Sequence, residues 1–284
     1  MSLGPETSKT VDEMVAACQS FGDRDIILLS GVAGTGKTFL GLVAAVRFAG
    51  HPLLVKQIQF HQSYAYEDFI EGLRPTAAGG FAPRAGILLE WNETALQDPN
   101  NRYVLLIEEF TRANITAVLG ELMTYIEHRD RLFETPLTRR RVRIAKNLTI
   151  LATMNPQDRS ALEVDDALIR RLRIIDCPPS VAHLEEMLKS SLPSGGGDES
   201  GKRIIADLKN LFEQMQRQYP DTFADLMPFG HGVFAAISSE DDLRSLWRQR
   251  LRFLLRRNPQ VPPHPWAHQI EQLYPWRNSS TTGS

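Results

Sequence analysis

Residues Gly31-Val32-Ala33-Gly34-Thr35-Gly36-Lys37-Thr38 place glycines, a lysine and a hydroxyl at the spacing GxxxxGK[ST]. A loop that binds crowded, anionic phosphates must aim several backbone N–H groups inward. Glycine permits that backbone shape without Cβ clashes. A helix starting at the same place adds its own free N–H groups and dipole. In this reading Lys37 neutralises β/γ-phosphate charge, Thr38 takes a place on Mg²⁺, and the phosphate-binding run extends from Gly31 through Phe39.

A hydrolase built on such a loop needs acid groups at the end of a neighbouring strand. "YVLLIEEF" supplies two. One carboxylate serves the metal and its waters, and the next polarises the attacking water. Glu108 is read as the metal-side group and Glu109 as the water-activating one. The same pair could also be a solvated acidic strand end. Asn155 follows the apolar run "LTILATM", where an amide can reach a γ-phosphate and the lytic water from the adjacent strand. The alternative is an Asn that simply starts a turn before Pro156, and the γ-phosphate reading is preferred.

The elements that must carry these groups follow from the hydrophobic pattern. Ile26–Leu29 is a short apolar strand before the Gly-rich turn, and 38–48 has helical apolar spacing. Further strands are read in "HPLLVKQIQF", "RYVLLIEEF", "NLTILATMN" and "RLRIIDCPP". Strands alternating with helices imply an α/β fold, a three-layer αβα domain with a parallel sheet covered on both faces. The expected organisation is a lead-in and short helix over 1–20, with the helix at 11–20. The α/β domain spans 21–180, a helical lid domain 181–257, and an extended tail 258–284. Within the lid, helices are expected over 181–191, 203–218 and 240–256, with "LPSGGGDESG" as a flexible connector.

The 284 residues carry a formal net charge of -2, so the overall balance does not call for nucleic acid. Two distant cysteines, Cys18 and Cys177, lack any metal-ligand spacing and read as buried reduced thiols. Residues 1–20 lack a signal-peptide run and no stretch approaches a membrane span, so the expected location is the cytoplasm.

At "QFHQSYAYEDFIEGLRP" (59–75) the sequence closely resembles the McrB family, AAA+ motors of modification-dependent restriction systems. "GELMTYIE" (120–127), "MNPQDRS" (154–160), "DDALIRRLR" (165–173) and "FGHGVF" (229–234) fit in the same order, so the likeness runs from about residue 20 to 257. It implies a P-loop AAA+ domain followed by a helical lid, working as a ring, with a hexamer expected, on GTP or ATP with Mg²⁺. It also implies a nuclease-bearing partner of the McrC kind, with DNA contact through the assembled ring only. By position, Asn155 corresponds to the sensor asparagine, and Asp158 and Arg159 to the motif through which the partner stimulates hydrolysis. Arg170 and Arg171 correspond to arginines that reach a neighbour's γ-phosphate, and Arg112 to another at the subunit boundary. The segment 59–91 would be the insert of this AAA+ branch, and 128–146 a hairpin bearing the basic run Arg139–Arg143.

The sequence also departs from that family. Glu108 stands where Asp is usual, and Pro156-Gln157 where Thr-Ala is common. The phosphate loop begins at residue 31, so the expectation is either an excised motor or a lineage in which the family's reading of methylated DNA lies in another chain. Two other readings remain: a remodelling ATPase of the MoxR-like or dynein-related kind, and a regulatory module that holds nucleotide and turns it over slowly. No nuclease or metal-ligand cluster is visible in the sequence. His231, beside Phe229 and Phe234, reads as a packed lid histidine.

Overall fold

The computed structural model describes residues 3–158, 166–218, 227–255 and 267–277. The chain divides into two compact units. One comprises Ser8–Ser30 and Lys37–Asp176; the other comprises Met1–Thr7, Gly31–Gly36 and Cys177–Ser284.

The first helix, α1, spans Pro5–Phe21 and turns Val11, Met14 and Cys18 inward, three and four residues apart. It begins at Pro5 rather than near residue 11, so the expected loose lead-in is helical. Proline is well suited to a first turn, where its missing N–H costs nothing, and Glu6 suits the positive end of the dipole.

The sheet follows from five apolar runs: β1 Ile26–Ser30, β2 Val55–Gln59, β5 Tyr103–Glu108, β8 Leu148–Met154 and β9 Leu172–Asp176. All pairings are parallel, in the order β2-β5-β8-β1-β9. Continuous apolar strands suit a sheet buried on both faces. That is what β1 and most of β5 and β8 show, while the edge strands β2 and β9 are half-exposed. Helix α2 (Lys37–Ala49) packs Leu40, Gly41, Ala44 and Ala45 inward, and the short chains of Gly41 and the alanines let it approach the sheet closely. Gly41 lies over Leu29, where an added Cβ would sit 3.1 Å from that side chain.

Between β2 and β5 the chain makes α3 (Tyr66–Phe69), an antiparallel hairpin β3–β4 (Glu71–Pro75, Phe81–Ala85) and α4 (Ile87–Gln97). Glu71 is buried, and its carboxylate accepts bonds from Leu137 N at 2.9 Å and Thr138 N at 3.1 Å, and from the Thr138 hydroxyl. Burial alone would raise its pKa, but these donors hold it below the ordinary carboxylate value. After β5 come α5 (Ile115–Leu119), α6 (Leu122–Glu127) and the two-residue strands β6 (Phe133–Glu134) and β7 (Arg141–Val142), followed past β8 by α7 (Asp166–Ile169). Of the basic run on this hairpin, Arg139 pairs with Glu134 and Arg140 with Glu93, and Arg141 and Arg143 are exposed.

Arg129 is 3% exposed and gives its guanidinium to four backbone carbonyls. They belong to Ile126 (3.0 Å), Ala145 (2.8 Å), Leu148 and Gly22 (3.0 Å). Burial lowers its pKa to about 10, against the pull of Asp23 and Asp25.

The second unit has its own apolar core, with Leu184, Leu188, Leu208, Phe212, Phe229, Phe234 and Leu243 inside. Helix α8 (Val181–Ser191) is capped by Ser180, whose side chain accepts from His183 N at 3.2 Å. Helix α9 spans Glu199–Gln218. Two expectations are corrected here. The connector after α8 is ordered: Pro193–Gly196 form a tight turn and Gly196 is buried, with Leu192 and Ile205 beside it. The helix expected over 240–256 is present over its described residues, as Glu240–Leu246, a π-helical turn Trp247–Leu251, then Arg252–Leu255. The tail is not wholly extended, since Ala267–Leu273 is helical and Tyr274 and Trp276 are buried. Tyr274 stacks on Trp247 with centroids 4.9 Å apart and donates to Leu243 O at 2.9 Å, which anchors the segment. The rest of the tail, 258–266 and 278–284, lies outside the described residues.

Candidate functional site

The phosphate loop opens directly out of β1 and runs into the first residue of α2. Gly34 (φ 84) and Gly36 (φ 79) take the left-handed backbone that a side chain would strain. A Cβ at Gly31 would lie 2.3 Å from the Cys177 carbonyl. Thr35 is buried and donates its hydroxyl to Val32 O at 3.1 Å. Two glycines far along the chain hold this loop: Gly230 N donates to Ala33 O at 2.8 Å, and Gly232 N donates to Gly34 O at 2.6 Å. A Cβ at Gly230 would come within 2.5 Å of Gly34, and at Gly232 within 2.7 Å of the Gly34 oxygen. Sequence reasoning read "FGHGVF" only as family likeness and a packed histidine. The glycine spacing around His231 was the available signal.

His231 is 6% exposed, and its Nδ1 accepts from Ser180 N at 3.1 Å. Burial, with a smaller contribution from nearby His183, pushes its pKa down to about 3. It is a packed, neutral histidine.

In the sheet-bearing unit, Lys37 and Thr38 begin α2, and the Phe39 ring is 51% exposed. Thr38 Oγ1 donates to Glu108 Oε2 at 2.9 Å. The other oxygen of Glu108 accepts from Nε2 of Gln57 in β2, a residue the sequence reading did not single out. Gln57 lies two residues before Gln59, the register partner of Glu108, and so on the same face; strand alternation was the signal that could have found it.

Glu109 ends the strand in the left-handed region (φ 53, ψ 43) and starts the turn Phe110–Arg112. Its N–H donates to Thr153 Oγ1 at 3.3 Å. That backbone is uncommon for a residue with a side chain, and such strain gathers at working sites. Arg112 pairs with Glu109 Oε2 at 3.2 Å and with Asp158 Oδ2 at 3.1 Å, so it joins two carboxylates of its own chain. Gln59, Phe60, His61, Gln62 and Ser63 line a cleft of about 460 Å³ with Glu109 and Arg112.

Asn155 is 9% exposed; its Oδ1 accepts from Gln157 N at 3.1 Å and its carbonyl from Asp158 N at 3.0 Å. The amide thus does shape a turn, and that turn presents Asp158 to Arg112. Arg171 pairs with Glu127 at 3.3 Å, while Arg170 is exposed. Arg159 lies outside the described residues. Cys18 and Cys177 are buried and form no disulfide.

The donor set suits a hard cation. Among the described residues no group of three or more His, Cys, Asp or Glu side chains converges on one point, so no all-protein metal cage is built. A hydroxyl and a carboxylate in contact at the foot of a phosphate loop match Mg²⁺, which takes few protein oxygens and shares the rest with phosphates and water.

The family model for the AAA domain (dynein-related subfamily) matches residues 26–172. The "Type IV methyl-directed restriction enzyme EcoKMcrB subunit" of Escherichia coli (strain K12) is 40% identical over 162 residues, covering 54% of this chain. The match takes in 35% of that relative, so the chain spans about a third of its length. Among solved structures, Brucella abortus NtrX aligns over 100% of this chain and 54% of its own, at 13% identity and a TM-score of 0.43. A candidate ATPase from Cytophaga hutchinsonii aligns over 74% and 64%, at 16% identity and a TM-score of 0.38. No helix among the described residues is long and apolar enough to cross a membrane.

Proposed function

Because the chain belongs to the dynein-related AAA family, we propose that it hydrolyses GTP or ATP with Mg²⁺, at the loop Gly31–Thr38, as a ring of several copies. The observation that carries this reading is the bond from Thr38 Oγ1 to Glu108 Oε2 at 2.9 Å. It joins the last residue of the phosphate motif to the first carboxylate at the end of β5, the second strand from β1, with β8 between them. By directing its O–H toward Glu108 as a hydrogen-bond donor, the Thr38 hydroxyl keeps its lone pairs for a cation. Bound Mg²⁺ would neutralise charge on the phosphate oxygens.

The loop amides and Lys37 grip the triphosphate, and Glu109 takes a proton from the attacking water once its carboxylate is free of Arg112. Asn155 orients that water from β8. Arg170 and Arg171 act on a neighbouring copy, where a guanidinium stabilises charge spreading onto the γ-phosphate oxygens. Asp158, with Arg159, couples the site to a nuclease partner of the McrC kind. That partner, and a role in DNA restriction, are supported by the likeness to EcoKMcrB, the subunit of a methyl-directed restriction enzyme. DNA would be met only by the assembled ring.

The test is a pair of variants assayed with ATP and GTP separately. Lys37→Ala should lose nucleotide binding. Glu109→Gln should bind as the parent does and turn over at least about a hundredfold more slowly. Parental hydrolysis by Glu109→Gln removes the assignment, and parental binding by Lys37→Ala removes the site.

A further inference from the structure

Glu108 has an arm one methylene longer than the Asp its position resembles, and therefore one more torsion to fix before its carboxylate serves a single place. Both of its oxygens are held. Oε2 accepts from Thr38 Oγ1 at 2.9 Å, and Oε1 accepts from Nε2 of Gln57. The two donors come from different elements, the start of α2 and the edge strand β2. The parallel register sets Gln59 opposite Glu108 and Gln57 opposite Leu106, so Gln57 reaches forward along the face it shares with Gln59. Gln57 is exposed.

We propose that Gln57 is a positioning residue for the cation site, fixing the rotamer of Glu108 so that the longer carboxylate presents the edge a shorter one would. A neutral amide does this without adding charge, and its N–H donates to the ionised form of Glu108. The inference rests on Glu108 standing beside the bound cation.

The experiment follows binding of a slowly hydrolysed fluorescent GTP or ATP analogue to the full chain while Mg²⁺ is titrated. Gln57→Leu keeps the strand but removes the amide. It should raise the half-saturating Mg²⁺ concentration about five- to tenfold, with binding in EDTA unchanged. In the Glu108→Asp background the same substitution should shift that concentration by no more than about twofold, because the shortened carboxylate no longer meets the Gln57 amide. An unmoved Mg²⁺ requirement in Gln57→Leu, or the same shift in both backgrounds, overturns the role of Gln57 and leaves Glu108 in place. A parent whose nucleotide binding ignores Mg²⁺ overturns the reading of Glu108 and this inference together.

Discussion

At the scale of single residues, the site divides into groups fixed by local sequence and groups that are not. The loop Gly31–Thr38 and the pair Glu108–Glu109 were legible as short motifs, the loop by the glycines its backbone demands and the pair by two carboxylates closing an apolar run. Gln57, Thr153, Gly230 and Gly232 were not, since each acts through one bond to a residue more than forty positions away. His231 carries the residue-scale prediction. Its ordinary pKa is 6.5 and in the folded chain it falls to about 3. Between those values the unfolded chain binds a proton that the folded chain refuses. The stability this group contributes is therefore whole above about pH 6.5 and declines as pH falls toward 3, by up to about 1.4 kcal/mol per pH unit. Urea unfolding at about pH 7 and about pH 5 should show His231→Gln with a shallower loss than the parent. Equal slopes would mean that the imidazole accepts its proton without unfolding.

Elements were read well where burial is continuous and poorly where it depends on distant partners. The central strands β1, β5 and β8 stand out because a strand buried on both faces needs an unbroken apolar run, while β2 and β9 at the edges carry polar residues among the apolar ones. The turn after α8 looked flexible by composition, but Gly196 packs under Ile205, a contact no local pattern records. The helix Ala267–Leu273 was missed for the same reason, being held by Tyr274 against Trp247. Arg129 is the clearest case: in sequence it is one charge in "HRDR", yet in the fold it gathers carbonyls from α6, from the approach and start of β8, and from the end of α1. Arg129→Met would leave these oxygens without their donor and should lower unfolding free energy by about 3 kcal/mol or more. A denaturant midpoint close to that of the parent would show that water replaces the guanidinium.

For the whole molecule the question is what a second copy adds. Arg171 is already engaged by Glu127, whereas Arg170 is exposed. In the proposed ring, Arg170 would be the better placed of the two to serve another chain's nucleotide. Turnover per chain should rise with protein concentration, and Arg170→Ala should flatten that rise by at least about tenfold while leaving nucleotide affinity intact. Steady-state rates across a dilution series, beside sedimentation of the same samples, measure this. A rate per chain that is independent of concentration in the parent would place the whole reaction within one copy.

Because a trans peptide is planar, its oxygen and its hydrogen point in opposite directions. When Gly230 draws on the oxygen of Ala33, it turns the hydrogen of Gly34 the other way; when Gly232 draws on the oxygen of Gly34, it does the same to Thr35. In the proposed site, two amide donors would thereby be aimed before any anion arrives. If the loop takes phosphate as proposed, part of its ordering cost falls on folding rather than on ligand capture, through a glycine pair nearly two hundred residues downstream in the chain.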